Sequence, residues 1–305
     1  MWSRYTPAPD SHRDESLPFF LETPALLHGA GVATDSTRVV LTLADGRDVE
    51  LRAAGRWAEG DAIWHFLSQP PALVLARAGR LSTTPLYLAD PDEYFRVVPL
   101  PDRDAVYVQF RANADFTGRT DLAQLANAAI DSLRALAPRF VIVDQRLNPG
   151  GDLNNTRALM QAIPQIVGDN GAVFAITSGR TFSAGIASLG YLKQAAGDRL
   201  TIVGDPVGDV LEFYAEGDLL TLSNGTLVLT ATERHNYVTG CPEDDCHGAI
   251  RRNPIRIDTL EPDVSPRVEY DDVVAVAGRS GRPAQEVAKD VLDRAAGLVS
   301  RVIDK

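Results

Sequence analysis

Two short blocks hold the residue types that acyl transfer requires. Gln145-Arg146-Leu147-Asn148-Pro149-Gly150-Gly151-Asp152 follows one apolar run, and Thr177-Ser178-Gly179-Arg180-Thr181-Phe182-Ser183-Ala184-Gly185 follows another. A Gly-Gly turn that opens a helix can present backbone N–H groups to an anion. Ser183 stands where a strand gives way to a helix, so its hydroxyl is placed to attack. A nucleophile beside backbone donors suits acyl transfer, because negative charge develops on the carbonyl oxygen. Each block alone has an ordinary explanation. A serine at a helix start is most often an N-cap, and Pro-Gly-Gly is most often a turn. Thr181 also breaks the Gly-x-Ser-x-Gly elbow pattern.

A serine nucleophile needs a base, and histidine has the suitable ordinary pKa. The chain has 5 histidines: His12, His28, His65, His235 and His247. His12 lies in a polar N-terminal arm and His28 at a helix end, so both read as structural or solvated. His65 sits between Trp64 and Phe66, and His235 ends a strand over 227–232. His247 serves only if its loop folds inward. Glu212 and Glu216 would share one face of a strand, and the chain order Ser183, Glu212, His235 fits the logic in which a carboxylate fixes the imidazole tautomer. The opposing reading is that both are surface acids. His235 is the first choice of base and His65 the second; no competent base is the third. Lys193 lies about ten residues along the helix from Ser183, or about 15 Å, too far to serve. Asp144 and Arg146 read as an ion pair bracing the turn rather than as substrate ligands, and Glu261-Pro262-Asp263 reads as a turn device.

The elements that must carry these blocks alternate. Residues 105–110 form a strand, and residues 120–137 place Leu122, Leu125, Ala129, Leu133 and Leu136 on one helical face. Phe140–Asp144 is a continuous apolar strand of the kind buried on both faces. A helix over 153–167, a strand over 172–176, a helix over 183–196 and a strand over 200–204 follow, and an amphipathic helix over 284–303 ends the chain. This is the grammar of a parallel α/β sheet, whose ligands gather at the carboxyl ends of its strands. Upstream, residues 38–43 and 48–52 flank the hairpin turn Asp45-Gly46. The expected organisation is a loose arm over 1–16, a small β-rich region over 17–60, a connector over 61–84, and an α/β domain over 85–305.

Composition narrows the class. Lys plus Arg total 30 against 41 Asp plus Glu, a net charge of −11 over 305 residues. Such a chain lacks the cationic surface that releases counterions from phosphate, so no nucleic-acid partner is expected. No run of about 18 apolar residues is present, so no membrane span is expected. The 2 cysteines, Cys241 and Cys246, share one polar loop. They read either as free thiols or as a short-range disulfide, which would place the chain in an oxidising compartment. A metal site, which usually wants four Cys/His ligands, is not expected, and neither is a cofactor. The start has no apolar h-region. The chain therefore reads as cytoplasmic, or as periplasmic or secreted after loss of a leader.

The order and spacing of the two blocks, with Val203-Gly204-Asp205-Pro206-Val207-Gly208 and Leu260-Glu261-Pro262-Asp263-Val264, resemble the tail-specific (C-terminal processing) serine proteases. That family includes the tricorn core and retinoid-binding repeats, and the likeness spans roughly residues 85–305. It implies a ClpP/crotonase-like core, with the N-terminal β-rich region as a shortened PDZ-like or cap unit. It also implies Ser183 as nucleophile, with an oxyanion hole from the Gly150-Gly151 turn and the backbone of Ala184. Many members pair the serine with a lysine in a Gly-Lys-Gly turn. Here that turn reads Gly204-Asp205-Pro206-Val207-Gly208-Asp209-Val210, without lysine. The tricorn-like branch uses an upstream histidine, which keeps His65 open. The implied substrates are peptides or partly unfolded proteins, with weak dependence on a terminal carboxylate because the PDZ-like unit is short. Two other readings stand beside the peptidase: a binding protein that kept the fold, and a crotonase-like acyl-CoA enzyme. The Thr-Phe-Ser-Ala-Gly block argues against the last, whose chemistry needs no serine there. Fold alone does not separate the three.

Overall fold

The structure is a computed structural model and describes residues 9–13, 15, 23–42, 45–53, 68–69, 84–223, 227–242 and 248–263. The expected helix over 284–303, most of the connector, and His65 and His247 lie outside the described residues. Helix α1 (Pro24–Gly29) precedes the hairpin of β1 (Arg38–Thr42) and β2 (Asp48–Arg52), which pair antiparallel around the Asp45-Gly46 turn.

The main sheet has 5 strands in the order β3-β4-β5-β6-β7. They are β3 (Phe95–Leu100), β4 (Ala105–Phe110), β5 (Phe140–Asp144), β6 (Ala172–Thr177) and β7 (Leu200–Gly204). β4 to β7 run parallel, whereas β3 is an antiparallel edge strand that the sequence reading did not anticipate. Three helices join the parallel strands: α2 (Leu122–Leu136), α3 (Asn154–Val167) and α4 (Ala184–Ala196).

Alternation along β4 explains the two faces of the sheet. Val106, Val108 and Phe110 join Val141, Val143, Val173 and Ala175 in one core with the buried sides of α2, α3 and α4. Tyr107 and Gln109 point the other way, under the segment before β3: Gln109 Nε2 donates to Tyr87 O at 3.0 Å. Buried Arg111, just past β4, donates to Pro91 O at 2.6 Å. On α2 the buried stripe is Leu122, Ala126, Ala129, Ile130 and Leu133, while Leu136 is 47% exposed, so the apolar face ends one turn earlier than the spacing predicts. α4 is buried from Ala184 to Leu192, as suits a helix apolar on all sides. Its Gly190 lets Ile255 pack close; a Cβ there would meet Ile255 Cγ2 at 2.9 Å.

β8 (Glu212–Thr221) and β9 (Leu227–Asn236) form a separate antiparallel hairpin, and a short α5 (Gly248–Arg252) follows. The chain then runs to the sheet edge, where Asp263 N donates to Ile202 O at 2.8 Å and Asp263 Oδ2 accepts from Ile202 N at 2.7 Å. Asp263 is thus a device that closes the edge of β7. Among the described residues no helix is long and apolar enough to cross a membrane.

Candidate active site

Both sequence blocks lie at the carboxyl ends of adjacent strands, β5 and β6, and they are stitched to each other. Phe182 N donates to Asn148 O at 3.0 Å, Thr181 Oγ1 to Gln145 O at 2.9 Å, and Ser178 Oγ to Arg146 O at 2.8 Å. Gly185 permits the close approach, since a Cβ there would stand 2.9 Å from Asn148 O. Thr181, which breaks the elbow consensus, is therefore a buried tie between the two turns. Asp144 and Arg146 form the expected brace. The carboxylate is 1% exposed, accepts from Tyr107 Oη at 2.8 Å and from Arg146 Nε at 3.1 Å, and the guanidinium lies 3.8 Å over the Tyr87 ring. Burial first, and then the Asp144 charge, push the Tyr107 phenol far above its ordinary pKa.

Ser183 adopts φ 51° and ψ −120°. A non-glycine residue there stores roughly 1–3 kcal/mol of strain, and the surrounding hydrogen bonds hold it in place. Its side chain makes no N-cap hydrogen bond, so the ordinary role of a serine at a helix start is not filled. Among the described residues the Ser183 hydroxyl has no hydrogen bond, and the residue is half-buried. Gly150 presses directly against it. A Cβ on Gly150, at φ +114°, would lie 2.7 Å from Ser183 Cβ and 3.0 Å from Ala184 N.

The donors beside Ser183 divide unequally. Ala184 N is the first N–H of α4 and has no acceptor within the helix. Gly150 N, expected as a donor, is already taken by Asn148 Oδ1 at 3.0 Å, because the Asn148 side chain folds back over its own turn. Gly151 differs. Asn113 bridges it in parallel, with Asn113 N donating to Gly150 O at 2.7 Å and Asp152 N donating to Asn113 O at 2.8 Å. In a parallel bridge the central residue turns its own N–H away from the partner strand, which leaves Gly151 N unengaged among the described residues. Beside Ser183, the N–H groups without an acceptor among the described residues are those of Gly151 and Ala184.

From below, Asn113 also ties this turn to the helix that Ser183 opens. Its Oδ1 accepts from Asn148 Nδ2 at 2.7 Å, and its Nδ2 donates to Thr156 Oγ1 and Ser188 Oγ, both at 2.9 Å. Ser188 Oγ donates in turn to Ala184 O at 2.9 Å. Asn113, Asn148, Thr156 and Ser188 are all fully buried. No motif marked Asn113, because its contribution is a tertiary bridge.

The histidines are placed differently from the sequence reading. His235 is 2% exposed on the inner face of the β8–β9 hairpin, with Phe213 at 5.4 Å and Tyr237 Oη 3.4 Å from Nδ1. Burial pushes its pKa below the ordinary value, against the opposing pull of Glu233, whose carboxylate is 3.9 Å from Nε2. No hydrogen bond joins it to Ser183. Glu212 does not orient it: Phe213, not Glu212, is opposite His235, so Glu212 faces away. The Glu212 carboxylate instead pairs with Arg234 and accepts from Asn236 Nδ2 at 3.2 Å. Glu216 lies at φ 43°, which breaks the strand alternation expected for it. Burial raises its pKa, reinforced by Glu233 and Asp152.

His12, expected in a loose arm, is docked. Residues 10–13 are helical, Ser11 Oγ donates to Val207 O at 3.0 Å, and the His12 ring stacks on Phe182 at 4.9 Å. His12 Nδ1 lies 2.9 Å from Gly179 O, a contact in which the ring nitrogen must be the donor. Gly179 and Gly208 make room for the arm; a Cβ at Gly179 would overlap the Ser11 backbone, and one at Gly208 would stand 2.9 Å from His12 Nδ1. Half-buried Asp209 has its pKa raised by desolvation, against the opposing pull of the Val210 N–H and then of His12. Cys241 is disulfide-bonded, and Cys246 lies outside the described residues. No group of three or more His, Cys, Asp or Glu able to hold a metal occurs among the described residues.

No family model and no curated protein matches the sequence. Among solved structures, the chain is similar to mature CPAF complexed with lactacystin, at 13% identity and a TM-score of 0.42, covering 88% of this chain and 69% of that one. It is similar to a Bacteroides fragilis protein assigned as an S41 protease, at 13% identity and a TM-score of 0.35, covering 56% of this chain and 49% of that one. It is also similar to the photosystem II D1 C-terminal processing protease, at 16% identity and a TM-score of 0.32, covering 53% of this chain and 42% of that one. The chain spans about half the length of the Bacteroides fragilis protein.

Proposed function

We propose that this chain is a serine peptidase that cleaves peptide bonds through an acyl-enzyme at Ser183. The observation that carries the reading is Ser183 itself. Among the described residues its hydroxyl is uncapped and unbonded and the N–H groups of Ala184 and Gly151 stand unengaged beside it, and its backbone is strained. In the proposed reaction Ser183 Oγ attacks the scissile carbonyl carbon while a base takes its proton. The oxyanion accepts from Ala184 N and Gly151 N. Collapse expels the amine, which takes the proton back, and water then hydrolyses the ester by the same route.

His12 is the base this geometry favours over His235. The contact of Nδ1 with Gly179 O at 2.9 Å fixes the orientation of the ring, as a base must be held. The ring also rests on Phe182, immediately before the nucleophile. A peptide or partly unfolded protein is the substrate class, and no cofactor takes part. The second reading, a binding protein on the same fold, is favoured by one observation: among the described residues no imidazole is hydrogen-bonded to the Ser183 hydroxyl.

Labelling with a fluorophosphonate probe separates the two. The native protein, Ser183→Ala, His12→Ala and His235→Ala are compared, each first shown to be folded. Labelling lost in Ser183→Ala and His12→Ala but kept in His235→Ala supports the full mechanism. Loss in His235→Ala with retention in His12→Ala moves the base to the hairpin. A folded native protein that does not label overturns the peptidase.

A further inference from the structure

A cavity of about 300 Å³ opens at the same end of the sheet as Ser183, lined by Tyr94, Phe95, Ala114, Phe116, Leu122 and Leu125. β3 runs antiparallel to β4, so Tyr94, just before β3, stands at the end where β4 finishes; Arg111 N donates to Tyr94 O at 2.9 Å. The loop from Arg111 to Asp121 then supplies both walls that matter. Asn113 bridges Gly151, and Ala114 N would lie 3.0 Å from a Cβ on Gly151. The cavity wall is therefore in direct contact with the proposed oxyanion turn, and Gly150 in that turn touches Ser183.

We propose that this cavity receives one bulky apolar side chain, aromatic or branched aliphatic, from a residue of the polypeptide substrate close to the scissile bond. The proposal rests on the peptidase reading and names its specificity. The lining joins the apolar side chains to Glu93, Gly118, Arg119 and Thr120, and Tyr94 and Phe116, stacked at 3.7 Å and 17°, supply its aromatic surface. The volume is at the lower limit of ligand sites, room for one large side chain rather than a cofactor. The rim is charged but balanced. Arg119 lies 3.7 Å from Glu93 and 5.1 Å over the Tyr94 ring, and both charged groups are substantially exposed, so the mouth opens to solvent without favouring a charged occupant. Leu122 and Leu125 come from the first turn of α2, which Leu122 N anchors to the loop by donating to Asp115 Oδ1 at 2.7 Å.

The test uses a peptide series varied at each position flanking the cut, with turnover measured on the native protein and binding measured by fluorescence anisotropy on Ser183→Ala. One flanking position is expected to favour Phe or Leu over Ala by at least about 10-fold in kcat/KM, the scale of apolar pocket discrimination. Leu125→Trp, which fills the cavity, should bring that ratio close to one. Phe116→Ala, an enlarging change on the loop, should shift the preference towards Trp and serves if the first variant does not fold. Ratios unchanged in the variants, or no side-chain preference with turnover at Ser183, overturn the subsite and leave the peptidase. Absence of turnover, with Phe-peptide binding that Leu125→Trp abolishes, overturns the peptidase and keeps the cavity as a binding site for an apolar side chain.

Discussion

Gly150 and Ser183 are so close that the position of the serine depends on the absence of one methyl group. A Cβ on Gly150 would stand 2.7 Å from Ser183 Cβ, and the backbone there has φ +114°. Gly150→Ala therefore meets both a steric and a conformational penalty. Because Gly150 N is bound to Asn148 Oδ1, the substitution removes no oxyanion donor and acts by displacing Ser183. The expected result is at least a 100-fold slower reaction with a fluorophosphonate, the scale of misplacing a reacting group by about 1 Å. Labelling at the native rate would contradict the tight juxtaposition.

Asn113→Ala tests the polar network beneath the turn. The substitution strips partners from Asn148 Nδ2, Thr156 Oγ1 and Ser188 Oγ, all buried. Thr156 and Ser188 retain their mutual contact at 2.6 Å, which limits the damage. A loss of roughly 2–4 kcal/mol in urea unfolding is expected. A loss below about 0.5 kcal/mol, the range of ordinary surface changes, would show that water replaces the amide without penalty.

The parallel strands and the two turns were legible because each is encoded locally. Continuous apolar runs mark buried strands, and Gly150 and Gly151 mark backbone that other residues rarely adopt. What escaped depends on contacts between distant parts of the chain. His12 is placed by Gly179 and Phe182, far along the sequence, and nothing near His12 announces that docking. The error over Glu212 was one of register. Whether Glu212 or Phe213 is opposite His235 is decided by the β8–β9 pairing, and a slip of one residue exchanges the faces. Glu216 escaped for another reason: its left-handed φ suspends the alternation that strand reading assumes. The donor expected from Gly150 failed because Asn148 bends back over its own turn, a choice of side-chain rotamer that residue types do not reveal.

Glu216→Gln should stabilise the fold at neutral pH. Burial, with help from Glu233 and Asp152, raises the carboxyl pKa, so the folded chain resists an ionisation that the unfolded chain undergoes freely. Stability is then lost as pH rises from the unfolded carboxyl pKa, about 4.3, through the higher folded value. The amide has no such loss. Thermal unfolding of both proteins should give a higher midpoint for Glu216→Gln at neutral pH, and a difference that shrinks below about pH 4. A lower midpoint at neutral pH would mean that the charge makes a favourable contact.

His235→Phe tests the opposite sign. The imidazole is 2% exposed between Phe213 and Tyr237, and burial holds its pKa below the ordinary value despite Glu233. Below about pH 6.5 the unfolded chain takes up a proton there that the folded chain refuses. The native protein should therefore lose stability as pH falls from about 7 towards 5, and level off beneath the folded pKa. Phe keeps the ring packing and removes the titration, so its urea midpoint should vary less over the same range. The absolute midpoint is free to rise as well, because Nε2 is a buried polar atom without a hydrogen-bond partner among the described residues. Replacing such a group by apolar carbon removes an unmet desolvation cost. Parallel pH profiles for the two proteins would show that His235 titrates alike in the folded and unfolded states, and that burial does not govern its charge.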